Sequence, residues 1–279
     1  MNKHLRFWLT LIALLSVLQG SFAAVGLVLD LNGSVKADVS GRAKVLDIAG
    51  SIEPGTRIDL NKGGEICFVF YPTRQQFAVV GPASLQITEG SVKQLQGNPM
   101  RPKNLAENRT AVAMGFQDRV VPAAMVMRSL LVRPRTLEPQ DGETVLSERP
   151  EFAWKTESGG LMEFSLSLDG ALVHQQQTDG NRLELPAGLS LASGREYRWQ
   201  VAFANGDRAG TNWGTFTVAN ASLRQQALSN QPPAEAELAE WVLYAMTLDQ
   251  LKLRTDANRV WARISDQRPA SSKLKEMLR

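Results

Sequence analysis

Cysteine and histidine are nearly missing from this 279-residue chain: Cys67 is the lone cysteine, and the two histidines are His4 and His174. One thiol excludes an intramolecular disulfide, and so few soft ligands exclude a structural zinc site, which needs several. No glycine-rich phosphate loop or dinucleotide fingerprint occurs, so no cofactor and no metal is expected. A charge of strong sign is also missing. Lys plus Arg total 31 against 28 Asp plus Glu, and loss of Lys3 and Arg6 with an N-terminal leader leaves 29 against 28, a net charge of +1. Nucleic-acid binding draws mainly on phosphate neutralisation, so nucleic acid is not an expected partner. The longest apolar run, Phe7 to Val17, is about a dozen residues, short of the roughly 20 a spanning helix requires.

What is present begins with that run. Lys3, His4 and Arg6 precede it, and Ser21-Phe22-Ala23 follows with small-residue cleavage spacing. This is the tripartite pattern of a secretory leader over residues 1–23, so export is expected, with Ala24 first in the mature chain and membrane contact only through the transient leader. Stability must then come from hydrophobic cores, which a 43% hydrophobic composition permits.

Residues 24–97 read as short strands between glycine turns. Val25, Leu27, Leu29 and Leu31 alternate toward one face before Asn32-Gly33. Pro54-Gly55, Lys62-Gly63-Gly64 and Gly81-Pro82 separate the strands that follow, and no stretch sustains a helical period. Cys67 sits in the apolar run Glu65 to Tyr71, where a buried structural thiol is expected. Residues 98–135 read as a linker, exposed near Asn98-Pro99, Arg101-Pro102-Lys103 and Asn104 to Thr110, then apolar from Val120 to Leu131. Arg128, Arg133 and Arg135 flank the apolar part as a solvated positive edge or an anionic-partner site. Residues 136–220 carry Asp141-Gly142, Asp169-Gly170, Asp179-Gly180 and Asn205-Gly206 turns between alternating strands. Phe152 with Trp154, and Tyr197, Trp199, Val201 and Phe203, form inward rows of an all-β sandwich. Trp154 and Trp199 invite a sugar-stacking reading, but their in-strand alternation favours the core. After Asn230-Gln231-Pro232-Pro233, residues 234–279 turn helical. Leu238, Trp241, Val242, Ala245 and Leu248 recur at helical spacing, Ala257, Val260, Trp261 and Ile264 form a second helix, and Lys273 to Leu278 a short third.

Three resemblances rest on these residues. The segments "GLVLDLNGSV", "GSIEPGTRI", "EICFVFY" and "VVGPASLQI" resemble the FecR-like domain of bacterial envelope proteins over about 70 residues. The segments "LEPQDGETVLSERPEFAWK" and "LASGREYRWQVAF" are similar to a fibronectin type III or related immunoglobulin-like sandwich over about 85 residues, without the paired cysteines of antibody domains. Trp241, Tyr244, Ala245, Leu248, Ala257, Trp261, Ile264 and Pro269 resemble one degenerate tetratricopeptide repeat. It departs from the pattern with Ala245 for glycine, Leu248 for an aromatic and Ile264 for a small residue. A lone repeat must pack on the β domains or on a partner. The FecR resemblance implies a bacterial setting, periplasmic or cell-surface, and contact with peptidoglycan or another envelope component.

The expected fold class is therefore mainly β: a FecR-like β domain, an immunoglobulin/fibronectin-like β-sandwich and a short C-terminal helical segment. The expected function is a non-catalytic binding or assembly module whose partner is an envelope protein or cell-wall polymer, with two β domains as a stalk and the tail as the docking element. No catalytic residue is expected. His174 is the one histidine left after leader removal, and no nucleophile-elbow pattern accompanies it. The alternatives are a FecR-type transmembrane signalling regulator, disfavoured because about six residues precede Phe7, and a carbohydrate-active enzyme using a carboxylate pair. Asp141, Asp169 and Asp179 each precede glycine, which turn formation explains.

Overall fold

A computed structural model describes residues 23–100, 102–116, 135–156, 160–204 and 213–278. The expected leader other than Ala23, together with Arg128 and Arg133, lies outside the described residues.

The first unit is a sandwich of two five-stranded antiparallel sheets. One sheet runs β10 (Lys103–Asn104), β7 (Gln75–Val80), β6 (Glu65–Phe70), β1 (Gly26–Asn32), β4 (Ser51–Ile52). The other runs β3 (Arg42–Lys44), β2 (Val35–Val39), β5 (Thr56–Leu60), β8 (Ala83–Ile87), β9 (Val92–Gln96). Between them Val28, Ile52, Ile58, Ile66, Phe68, Phe70, Phe77, Leu85 and Ile87 form one core. Gly33 is required at its turn: φ is +68°, and a Cβ would stand 2.3 Å from the Gly63 carbonyl oxygen.

Strand β1 departs from the one-faced alternation expected of it. A register shift between Val28 and Asp30 marks an irregularity in its pairing with β6. Val25 and Val28 pack into the sandwich core, whereas Leu27 and Leu29 face the opposite side with Cys67, Val69 and Tyr71 of the β6 region. This sheet is thus apolar on both faces and needs a second covering layer.

The second unit is a fibronectin-like sandwich. β11 (Arg135–Glu138), β13 (Glu151–Lys155) and β16 (Arg182–Glu184) form one sheet. β12 (Glu143–Val145), β18 (Gly214–Val218), β17 (Glu196–Phe203), β14 (Met162–Leu168) and β15 (Ala171–Thr178) form the other, with β12 parallel to β18. The chain switches sheets from β11 to β12, β12 to β13, β13 to β14, β15 to β16 and β16 to β17, while β14–β15 and β17–β18 stay within one sheet, as in immunoglobulin and fibronectin-type sandwiches. Phe152, Trp154, Phe164, Leu166, Tyr197, Trp199, Val201 and Phe216 fill the centre, and Phe152 lies 4.7 Å from Phe164 and 5.1 Å from Trp199 between ring centroids. Tyr197, the second residue of β17, accepts the Ala192 N–H at 2.7 Å through its hydroxyl. A tyrosine at the start of this strand, bonded to backbone a few residues upstream, is the tyrosine corner of such sandwiches.

Among the described residues there are five helices: α1 (Glu107–Phe116), α2 (Ala221–Leu228), α3 (Leu238–Gln250), α4 (Arg254–Gln267) and α5 (Ser272–Met277). Two of them correct the linker assignments. The stretch expected to be an exposed linker contains β10 and α1. Thr110 and Val112 weaken the intrinsic helical preference of α1, and tertiary bonds compensate: the Tyr71 hydroxyl donates to the Ala113 carbonyl at 3.2 Å, and Gln250 Nε2 to the Val112 carbonyl at 2.9 Å. Helix α2 occupies the connection before the tail, and the Asn220 side chain caps it by accepting the Leu223 N–H at 2.9 Å.

The tail packs on the first sandwich. Helix α3 is buried nearly all round, from Leu238 and Trp241 to Met246 and Leu248, the signature of a central helix. It sits in one core with Leu27, Leu29, Cys67, Val69 and Tyr71, with Ala113 of α1, and with Ala257, Trp261 and Ile264 of α4. Of the two alternatives, packing on the β domains or on a partner, the apolar faces are used within the chain, because the outer face of the β1–β6 sheet would otherwise expose that apolar row. Among the described residues no helix is long and apolar enough to cross a membrane.

Candidate functional site

The residues that bring the three parts together are carboxylates reaching from both β-sandwiches to the helix ends. Helix α4 has Leu253 at its N-cap position, which offers no side-chain cap. Glu143, at the start of β12, supplies one: its carboxylate accepts the Thr255 N–H and the Thr255 hydroxyl, each at 2.6 Å, and the Gln140 N–H at 2.9 Å. A negative group at a helix N-terminus satisfies free N–H donors and complements the dipole. Asp256, one residue further along α4, returns a contact by accepting the Leu146 N–H at 2.9 Å. Burial lifts the Asp256 pKa above its ordinary value, and the Glu143 charge adds to that, against the Leu146 bond and Arg259.

The first sandwich contributes Asp47 and Asp30. Burial works to raise the Asp47 pKa, yet bonds from the Ser271 hydroxyl, the Lys273 N–H, the Ser272 hydroxyl and the Ile48 N–H hold it below the usual range. Asp47 also accepts the Ser272 N–H at 2.9 Å, so it caps the start of α5. Asp30 takes a bidentate bond from Arg268 at the end of α4, at 2.8 and 2.9 Å. Glu240, in the first turn of α3, pairs with Lys103 at 3.3 Å and with Arg109. Burial opposes ionisation of Glu240, but those cations outweigh it and lower its pKa. Arg224 of α2 pairs with Glu148 of the second sandwich. The helical layer is therefore latched to both sandwiches.

A cleft of about 530 Å³ opens where β7, β10, α1 and the chain entering α3 meet, lined by Gln76, Lys103, Arg109, Pro233, Glu237 and Glu240. A second, of about 230 Å³, lies between Asp141, Glu143, Lys252 and Arg254 at the joint of α4 with the fibronectin-like unit.

The residues singled out in the sequence scatter across the molecule. Cys67 is buried and accepts a bond from Gln76 Nε2 at 3.1 Å. Burial pushes its thiol up to about 12, helped by the charges of Asp30, Glu237 and Glu240 and opposed by Gln76, so at neutral pH it is a protonated, inert thiol. His174 lies within 3.2 Å of Gln176 and near the Phe164 ring. Trp154 and Trp199 are buried in the sandwich core. Asp141 accepts the Thr215 N–H at 2.8 Å and the Thr215 hydroxyl at 2.9 Å, and those bonds lower its pKa. Asp169 pairs with Arg195. Asn205-Gly206 and the side chain of Arg135 fall outside the described residues. Among the described residues no three or more His, Cys, Asp or Glu side chains converge to hold a metal ion.

The latch was missed in the sequence because its carboxylates act across long stretches of chain, 76 residues for Glu148 with Arg224 and 112 for Glu143 with Thr255. One signal was available: α4 begins after Lys252-Leu253 with no Ser, Thr, Asp or Asn at the cap position. A helix start without its own cap points to one supplied from elsewhere.

No family model matches the chain, and no curated protein matches it. Among solved structures it is similar to the central fibronectin-III array of RIM-binding protein, at 10% identity over 72% of this chain and 59% of that one, TM-score 0.23. It is also similar to fibronectin(III)-like modules of Clostridium thermocellum CbhA, at 11% over 79% and 88%, TM-score 0.25. A β-1,2-glucanase from Parabacteroides distasonis matches at 11% over 74% and 38%, TM-score 0.21. The chain spans less than two thirds of the first of these. At such scores the likenesses carry no argument, and the assignment of a fibronectin-like sandwich rests on strand order and the tyrosine corner.

Proposed function

We propose that the chain is a non-catalytic binding and assembly module of the bacterial cell envelope, exported to the periplasm or cell surface, that contacts peptidoglycan or an envelope protein. The observation that carries the reading is the latch: Asp30, Asp47 and Glu143 fasten one helical layer to two β-sandwiches. A body fixed in this way presents outward sheet faces in set positions, which a binding scaffold requires. The resemblance of residues 24–97 to FecR-like domains supplies the envelope setting, and the leader-like start supplies the export. The tetratricopeptide-like helix pair then serves as an internal brace instead of a docking arm.

A second reading draws on one observation. Glu143 and Asp256 are neighbouring carboxylates, and Asp256 is shifted up, as a carboxylate acid of a carbohydrate-active enzyme would be. Their oxygens, however, are committed to backbone N–H groups and Thr255. Incubation of the full chain with isolated sacculi and with envelope extract separates the readings. Retention with no released sugar is the expected result. Release of reducing ends that disappears in Asp256→Asn would replace the scaffold with an enzyme.

A further inference from the structure

Of the described tryptophans, Trp154, Trp199, Trp241 and Trp261 are buried, and Trp213 is 41% exposed. Strand geometry sets its direction. Gly214 faces the sandwich interior, since a Cβ there would meet Trp199 Nε1 at 2.8 Å. Its neighbours Trp213 and Thr215 therefore project from the outer face. The Arg198 guanidinium lies 5.2 Å from the Trp213 ring centroid, and Arg198 pairs in register with Thr215 on one side and Ser167 on the other. The outer row through Arg198 continues by way of Ser167 to Leu172 on β15, which is 61% exposed, whereas Gln200, two residues along β17, is only 7% exposed. From β18 to β15 the row crosses three inter-strand gaps, about 14 Å.

We propose that this outer face binds a glycan strand bearing carboxylates, with Trp213 as the stacking platform and Arg198 as the carboxylate contact. The inference rests on the reading of the chain as an envelope-binding module and names the polymer class and the site. An exposed indole offers a flat apolar surface of the kind the C–H-rich face of a sugar ring covers, while the Ser167 and Thr215 hydroxyls beside it match the ring hydroxyls. A guanidinium at the indole supplies the directional donors that a carboxylate takes. Among the described residues no carboxylate forms an ion pair with Arg198, whereas Arg195 nearby is paired with Asp169. A protein partner would call for a larger apolar centre than one indole and Leu172 set among Ser, Thr and Arg.

The test titrates the full chain with soluble peptidoglycan glycan strands, whose muramic acid carries a carboxylate, and with neutral chitohexaose. Calorimetry and tryptophan emission report binding. Wild type should bind the strands more tightly than chitohexaose. Trp213→Ala should lose roughly tenfold in affinity for both. Arg198→Gln should lose up to roughly fivefold for the strands while leaving chitohexaose unchanged. Both side chains are on the surface, so urea midpoints should match wild type. Glycan binding that survives Trp213→Ala would overturn the platform and leave the envelope-binding reading standing. Retention on envelope protein with no glycan binding would do the same. Binding to neither glycans nor envelope extract would sink both.

Discussion

Replacing Glu143 with alanine strikes the latch at the point where α4 depends on another domain. Glu143 is 7% exposed and receives three hydrogen bonds, two of them from Thr255. Loss of an N-cap costs about 1 kcal/mol, and loss of a charge at the helix N-terminus about 0.5 kcal/mol. Stranding the buried Thr255 N–H and hydroxyl costs about 1–3 kcal/mol. These effects share the same bonds, so they overlap, and the expected total is about 2–4 kcal/mol. That is a large part of the ~5–15 kcal/mol that holds a typical protein folded. Glu143→Gln keeps the shape and one acceptor oxygen and should lose less than Glu143→Ala. Urea unfolding followed by fluorescence gives the total, and hydrogen exchange locates it. Protection of the Thr255 amide should fall, while that of the Ala192 amide, held by Tyr197 in the sandwich, should not. A Glu143→Ala variant within about 0.5 kcal/mol of wild type, with Thr255 still protected, would refute the latch.

Other predictions concern pH, reactivity and the sandwich. The folded-state pKa of Asp256 is raised above 3.8, so its contribution to stability is fully present below that value and is lost as pH rises through the folded pKa. Asp256→Asn, keeping an acceptor for the Leu146 N–H, should be at least as stable as wild type at pH 7 by urea titration; a clear loss would show that the charge is needed. Asp47 has the opposite sign: its lowered pKa gives stability above 3.8 that is lost as pH falls through the folded pKa. Asp47→Ala should therefore flatten the acid limb of an unfolding profile taken by circular dichroism. With its thiol at about 12, Cys67 should react with iodoacetamide at pH 8 roughly a thousandfold more slowly in the native chain than in urea; equal rates would mean the β1–β6 face is open. Tyr197→Phe removes the bond to the Ala192 N–H and should cost about 1–1.5 kcal/mol of unfolding free energy, read from urea titration.

Alternation and turn residues were enough to read the β character of both sandwiches, the burial of Trp154, Trp199 and Cys67, and the helices around Trp241 and Trp261. These are local properties: a strand's inward row and a helix's stripe are written within ten or so residues. Helices α1 and α2 were not legible. Their sequences are poorly amphipathic, and what stabilises them is distant: Tyr71 and Gln250 for α1, and the Arg224–Glu148 pair for α2. The exposed Trp213 could not be told from the buried tryptophans either. Its direction follows from Gly214 fitting over Trp199 across the sheet.

Local patterning was enough to set the classes of element and which residues must be buried somewhere. Where they are buried was settled by three-dimensional packing. It turned the doubly apolar β1–β6 sheet into the seat of the C-terminal helices, and it used Asp30, Asp47 and Glu143 to hold them there. The physical reason is range. Backbone preference and side-chain periodicity act between neighbours, whereas a cap or ion pair joins groups whose separation along the chain carries no trace of their proximity in space.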